Sequence, residues 1–284
     1  MNPDHSRSAR ELLAFYLEAG VDAALGESAI DRFAEPTEVA APPRSALPRQ
    51  TGAGRSPSVD REQLPPPQAV AAAPAPMSPD GAVMAAREEA KGASTLDELR
   101  SILNSFTGCP LRATATQLVF ADGNPAARIM FVGEAPGRDE DIAGLPFVGR
   151  SGQLLDRMMA AIGLTRAQAY IANIVPWRPP GNRTPTPQES AICLPFTLRQ
   201  IELVDPDVLV CLGGPSAQTL LAIRDGILRT RGRWFPFHTG TREIRATATL
   251  HPAYLLRQPL QKRLAWRDFL AIKKALGPAR SPSP

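Results

Sequence analysis

The chain is short of cysteine, histidine and long apolar runs. Three cysteines (Cys109, Cys193, Cys211) are too few for a disulfide framework, so a reducing, cytoplasmic setting is expected. No run of about 18 apolar residues occurs, so no transmembrane helix is expected. The opening MNPDHSRSARELL has no apolar stretch, so no secretory signal is expected either. Neither GxGxxG nor GxxxxGK[ST] is present, which weighs against a generic nucleotide-binding enzyme. Aromatic residues are absent between Phe33 and Phe106, and residues 41–80 hold ten of the 30 prolines. Such a segment cannot bury enough apolar surface to offset the entropy of ordering it. Residues 36–93 are therefore expected to be a disordered Pro/Ala-rich linker, with one globular domain over 94–278 and a short tail over 279–284.

Charge is as uneven as proline. Residues 1–93 carry 9 Lys/Arg against 13 Asp/Glu, and residues 94–284 carry 23 against 15, a split of −4 and +8. A basic domain behind an acidic leader points to a polyanion partner, with nucleic acid the default and a merely basic soluble enzyme the alternative. Ahead of the linker, residues 7–33 have helical periodicity, with Leu12, Leu13, Tyr16 and Leu17 on one stripe. An amphipathic helix on a Pro-rich tether suits docking to a protein partner, or packing on its own domain; both readings stand.

Within the domain, apolar runs at 128–133, 169–175, 207–212 and 244–250 read as strands. Helical patterns at 94–104, 152–162, 186–204, 216–223 and 262–276 alternate with them. This order predicts a three-layer α/β/α fold around a central, mainly parallel four-stranded sheet. Ligands of such sheets sit beyond the carboxyl ends of the strands. Each unusual loop follows a strand, so four loops are expected to meet at one edge.

The first loop offers Gly133 and Gly137 for tight approach. It also carries four carboxylates (Glu134, Asp139, Glu140, Asp141), either for acid–base or metal chemistry or as ordinary solvated acids. Phe147 is placed to stack on a planar ligand or to fill a small satellite core. In the second loop, Asn173 presents a donor and an acceptor side by side, and a proline-stiffened run carries Arg178 and Arg183 towards phosphate. The third loop opens a helix at Gly213-Gly214-Pro215-Ser216, where free N–H groups suit an anion. The fourth holds His251, followed by Tyr254-Leu255-Leu256-Arg257, a wedge for a base stack or simple core packing.

Taken together, these motifs resemble the uracil-DNA glycosylase superfamily, specifically its family 4. The matching segments are Gly133-Glu134-Ala135-Pro136-Gly137, Leu145-Pro146-Phe147-Val148-Gly149-Arg150-Ser151-Gly152-Gln153-Leu154-Leu155-Asp156, Asn173 with Arg178-Pro179-Pro180-Gly181-Asn182-Arg183, and His251-Pro252-Ala253-Tyr254-Leu255-Leu256. They occur in the family's order and span about residues 105–276. The resemblance implies a monofunctional enzyme of DNA base-excision repair that flips uracil from DNA and hydrolyses its N-glycosidic bond; a monomer is expected. Gly133, Ala135, Phe147 and Asn173 would line the base pocket. Phe147 would stack on uracil, Asn173 would match its O4 and N3–H, and His251 would donate to O2. Glu134 would position the water, with Asp139 or Glu140 as an alternative. Ala135 stands where other families of the superfamily place a catalytic Asp. Arg178, Arg183 and Ser216 would grip phosphates, Tyr254 and Arg257 would contact DNA, and Leu255 or Leu256 would fill the vacated stack.

In one place the chain departs from the family. Family 4 members usually hold a 4Fe–4S cluster through four cysteines. The corresponding positions here are Phe106, Cys109, Trp177 and Cys193, so no cofactor is expected and Phe106 with Trp177 is expected to form a hydrophobic plug. Two competing readings on the same scaffold are a covalent trap and a non-catalytic binder of damaged DNA. Residues 174–187 contain no His and no insertion, which disfavours the trap, and the full set of pocket residues disfavours the binder.

Overall fold

The computed structural model describes residues 78–277. The expected helix at 7–33, most of the expected linker and the tail lie outside the described residues. The described chain forms a six-stranded sheet in the order β1-β3-β2-β4-β6-β5. The strands are β1 (Asp122–Gly123), β2 (Ile129–Gly133), β3 (Tyr170–Asn173), β4 (Val208–Leu212), β5 (Trp234–His238) and β6 (Glu243–Thr249). The four expected strands are β2, β3, β4 and β6, all mutually parallel. Two antiparallel edges, β1 against β3 and β5 against β6, enlarge the four-stranded expectation. β1 is two residues long, and β5 reads WFPFH without clean alternation, so neither leaves a periodic signal.

Nine α-helices accompany the sheet among the described residues: α1 (Pro79–Gly92), α2 (Leu96–Ser105), α3 (Arg138–Ala143), α4 (Arg150–Ala161), α5 (Pro187–Val204), α6 (Gly214–Leu221), α7 (Ile227–Thr230), α8 (Pro252–Arg257) and α9 (Lys262–Leu276). Alternate strand residues pack in opposite directions, because side chains alternate across a strand. Met130, Val132, Leu209 and Cys211 join a core with Leu99, Leu103, Ile192 and Phe196 of α2 and α5. Ile129, Phe131, Val208 and Val210 join the other with Leu155 and Met159 of α4 and Phe269 and Ile272 of α9. Burial on both faces explains why these strands are continuous apolar runs. No helix among the described residues is long and apolar enough to cross a membrane.

Helix α1 corrects the expected linker, which ran to residue 93. Ser78 caps it, Pro79 sits in its first turn, and Ala82, Ala86 and Ala90 form a buried stripe that packs on α5. The stripe consists of methyl groups only, so alanine-rich composition hid an i, i+4 pattern. At the other end of the same helix pair, Arg199 Nε donates to the Ala93 carbonyl at 2.9 Å. Helix α5 starts with a reciprocal cap: Thr186 accepts from the Glu189 N–H, and Glu189 from the Thr186 N–H.

Because the stripe has no spare volume, Ala86→Leu should lower stability by about 1–3 kcal/mol. A reduced urea midpoint at unchanged m-value would show this; an unchanged midpoint would mean that α1 is not packed.

Candidate functional site

The parallel register brings the carboxyl ends of β2, β3, β4 and β6 to one edge: Gly133 pairs with Asn173, and Leu212 with Thr249. Beyond that edge lies a cavity of about 580 Å³ whose lining includes Glu134, Ala135, Phe147, Asn173, Gly213 and His251. Gly133 forms the close-packed junction beneath it. A Cβ there would stand 2.3 Å from Asn173 Oδ1 and 2.6 Å from Phe147 Cζ, so only glycine lets both side chains reach the cavity.

Two buried side-chain atoms lack a hydrogen-bond partner among the described residues: Glu134 Oε1 and Asn173 Oδ1. Both belong to residues lining this cavity. Leaving such an acceptor unpaired costs about 1–3 kcal/mol, so the site is built for something that brings donors. Burial raises the Glu134 pKa above the ordinary carboxylate value, partly offset by a hydrogen bond from the Thr184 side chain.

His251 caps α8. The Ala253 N–H donates to its Nδ1 at 3.1 Å, so in the neutral ring the proton sits on Nε2. Burial, aided by the positive Arg257, lowers its pKa to about 4, so the ring is a neutral donor at pH 7. Its ring centroid is 5.6 Å from that of Phe147. Phe147 is buried at φ 55°, a left-handed conformation that costs a non-glycine residue on the order of 1–3 kcal/mol. Two features hold it there. Gly152 lies against its carbonyl, where a Cβ would come within 1.7 Å of the oxygen. Arg166 donates to the same carbonyl and to that of Pro146 at 3.2 Å. Sequence reasoning missed Arg166, which sits 19 residues away and joins no motif.

Several expected roles need correction. Glu140 is not a free acid for water: its carboxylate accepts from the N–H groups of Gly137, Val148 and Gly149. Asp141 is buried and accepts from Thr116. Asp139 is exposed and does not line the cavity, which leaves Glu134 as the acid best placed. Ser216 cannot grip phosphate, because it is fully buried and donates to the Val132 carbonyl at 2.6 Å. Leu255 is no wedge: it is buried in a small core with Leu250 and Ala265, whereas Leu256 is exposed. Arg183 lines the cavity but is held by a bidentate pair with Glu189 at 2.8 and 2.7 Å. Arg178 donates to Asn182 at 2.7 Å and does not line it. Tyr254 and Arg257 do line it.

Phe106, Cys109, Trp177 and Cys193 are all buried in one core. The Cys193 thiol donates to Cys109 across 3.7 Å. The Phe106 ring folds over Gly108 and meets Phe196 edge-on, with centroids 5.0 Å apart. This donor set does not fit a four-iron cluster, which needs four thiolates where only two sulfurs and two carbon rings stand. Cys211 lies within β4, where burial raises its thiol to about 12. Among the described residues, no group of three or more His, Cys, Asp or Glu could hold a metal ion.

Two expectations follow. Gly152→Ala should displace the Phe147 carbonyl and abolish ligand capture in the cavity while the protein stays folded; retained capture would contradict the packing. The second concerns pH. The unfolded chain protonates His251 near pH 6.5 and the folded chain only near 4, so stability should fall as pH drops through that window. In denaturant midpoints, His251→Gln should show a shallower fall than wild type; equal slopes would mean that the ring is not held neutral.

The site therefore pairs a neutral donor with two unmet acceptors beside an aromatic face, which suits a flat, polar heterocycle. The family model described as uracil DNA glycosylase superfamily matches residues 120–270. The type-4 uracil-DNA glycosylase of Archaeoglobus fulgidus is 40% identical over 187 residues, covering 64% of this chain and 94% of that protein. The type-4 enzyme of Thermotoga maritima is 44% identical over 171 residues, covering 57% and 86%. That of Sulfurisphaera tokodaii is 37% identical over 192 residues, covering 66% and 87%. The arrangement at the strand ends and these matches agree, and the chain belongs to the type-4 branch of the uracil-DNA glycosylase superfamily.

Proposed function

We propose that this protein excises uracil from DNA by hydrolysing its N-glycosidic bond, leaving an abasic site for base-excision repair. The observation that carries this reading is the pair of unpartnered acceptors, Asn173 Oδ1 and Glu134 Oε1, in one cavity with the neutral His251. Deoxyuridine is flipped out of the stack into the cavity, because its C1′ is unreachable inside the duplex. The base stacks on Phe147. Uracil N3–H donates to Asn173 Oδ1, and the Asn173 amide donates to O4. Cytosine offers an acceptor at N3 and a donor at N4, so it meets like with like and leaves buried groups unpaired.

The bond from C1′ to N1 breaks with its electron pair moving to the base. His251 Nε2–H donates to O2, where the negative charge gathers. Such a preorganised donor contributes about 3 kcal/mol to the transition state. A neutral ring suits this task, because it donates without surrendering its proton. Glu134 Oε1 accepts a hydrogen bond from the water that closes on C1′, so the new C1′–O bond forms as the water proton passes to the carboxylate. Leu256, exposed on α8, fills the gap in the stack, and Tyr254 with Arg257 contacts the strand. The positive charge of residues 94–284 draws the duplex in.

The finer parts of the proposal concern the protein's setting. Two sulfurs beside two carbon rings support a fold that stands without an iron–sulfur cluster, with Phe106 and Trp177 as the plug. Monomeric action in the cytoplasm on DNA, with residues 7–33 available to a protein partner, completes it.

On a U·G duplex, alkaline strand cleavage should reveal abasic product. A denatured complex shifted on a gel would indicate a covalent trap, and binding without product a passive binder; either overturns the proposal. His251→Ala and Asn173→Ala should each slow single turnover by about a hundredfold or more at nearly unchanged affinity for uracil-free duplex. Loss of affinity at an unchanged rate would contradict these roles. Iron analysis should find essentially none, whereas about four iron atoms per chain would remove the plug.

A further inference from the structure

Arg166 does not line the cavity, yet it ties together three segments around it. Its Nη1 pairs with Asp122 at 2.5 Å and donates to the Pro146 carbonyl at 3.2 Å. Its Nε pairs with Asp156 of α4 at 2.7 Å, and its Nη2 donates to the Phe147 carbonyl. Two carboxylates share one guanidinium, so the cation is held in place and its remaining donors are aimed rather than free to rotate. The edge strand β1 fixes the first of those carboxylates. Asp122 pairs with Ile171 of β3, and the next strand residue, Gly123, has φ 97° in a space where a Cβ would stand 2.0 Å from the Ala169 carbonyl oxygen.

The two carbonyls that Arg166 holds belong to the residue with the strained backbone and to its neighbour. The peptide planes on either side of Phe147 set its strained φ of 55°, and Arg166 binds the carbonyl of each, alongside the close contact with Gly152. The ring so placed lies beside His251, 5.6 Å between centroids, as one wall of the cavity. We propose that Arg166 is a positioning residue for base capture: its fork holds the Phe147 carbonyl so that the ring is already set as a stacking platform before the base arrives. This rests on the uracil reading of the cavity. It assigns β1, Asp122 and Asp156 a purpose beyond the sheet edge, as the anchors that aim the fork.

The test uses the full chain and three readouts: free uracil as a competitive inhibitor, single-turnover excision from a U·G duplex, and affinity for uracil-free duplex. Arg166→Ala should weaken uracil inhibition about tenfold and slow excision by a similar factor, while uracil-free duplex binds as before. Added guanidinium ion should restore part of the loss. In a Phe147→Ala background, Arg166→Ala should add almost nothing, because both changes remove the same platform. Fully additive losses, or lowered thermal stability with uracil inhibition unchanged, would overturn the proposal. Should Arg166→Ala fail to fold, Arg166→Lys keeps a cation between the two carboxylates without the fork. It should show the same loss of uracil inhibition, and wild-type inhibition would overturn the role. A wild-type protein that neither excises nor is inhibited by uracil would instead overturn the reading of the cavity itself.

Discussion

The absence of a side chain at Gly133 is the constraint on which the site depends. At the end of β2, an amide from the neighbouring strand and an aromatic ring from a distant loop converge on the volume that a single methyl group would occupy. Asn173 and Phe147 are set against each other there, and His251 faces the ring from the end of β6. Packing of this density transmits displacement, so the site is held from its base and not by its rim. Gly152 and Arg166 extend the same constraint outward, one by leaving room for a carbonyl and the other by binding it.

The apolar face and the polar face of this arrangement are balanced differently. Among the described residues, arginine supplies the cation of the fold's ion pairs, from Arg128 with Asp207 to Arg242 with Asp205. Arg183 shows what this means for a basic domain: a residue that lines the cavity is also neutralised by a carboxylate of α5. Part of the formal positive charge therefore stiffens loops, and formal charge overstates the field that a phosphate backbone meets.

Much of the fold was legible because burial on both faces makes parallel strands into unbroken apolar runs. β2 and β4 are of this kind, and the helix capped by Thr186 was legible from its Thr-Pro start. Short edges such as β1 depend on partners far away in sequence and carry no periodicity. In the site, Glu134, Phe147, Asn173 and His251 were legible because they follow strands in unusual loops. Ser216 and Leu255 misled because residue type suggests exposure or a role, while neighbours decide it: one hydroxyl is consumed by a carbonyl and one leucine by a small core. Arg166 was illegible because its meaning lies in four acceptors from separate segments, and no local pattern encodes that.

The alanine stripe of α1 has a practical consequence for where the domain begins. A chain trimmed to start at Ser94, as composition alone would advise, loses the helix that covers α5 and the Ala93 carbonyl that Arg199 holds. The newly bared helix face would favour self-association, so a comparison of trimmed and full-length protein would confuse aggregation with the loss of residues 7–33. The cut that separates the two questions lies ahead of Ser78.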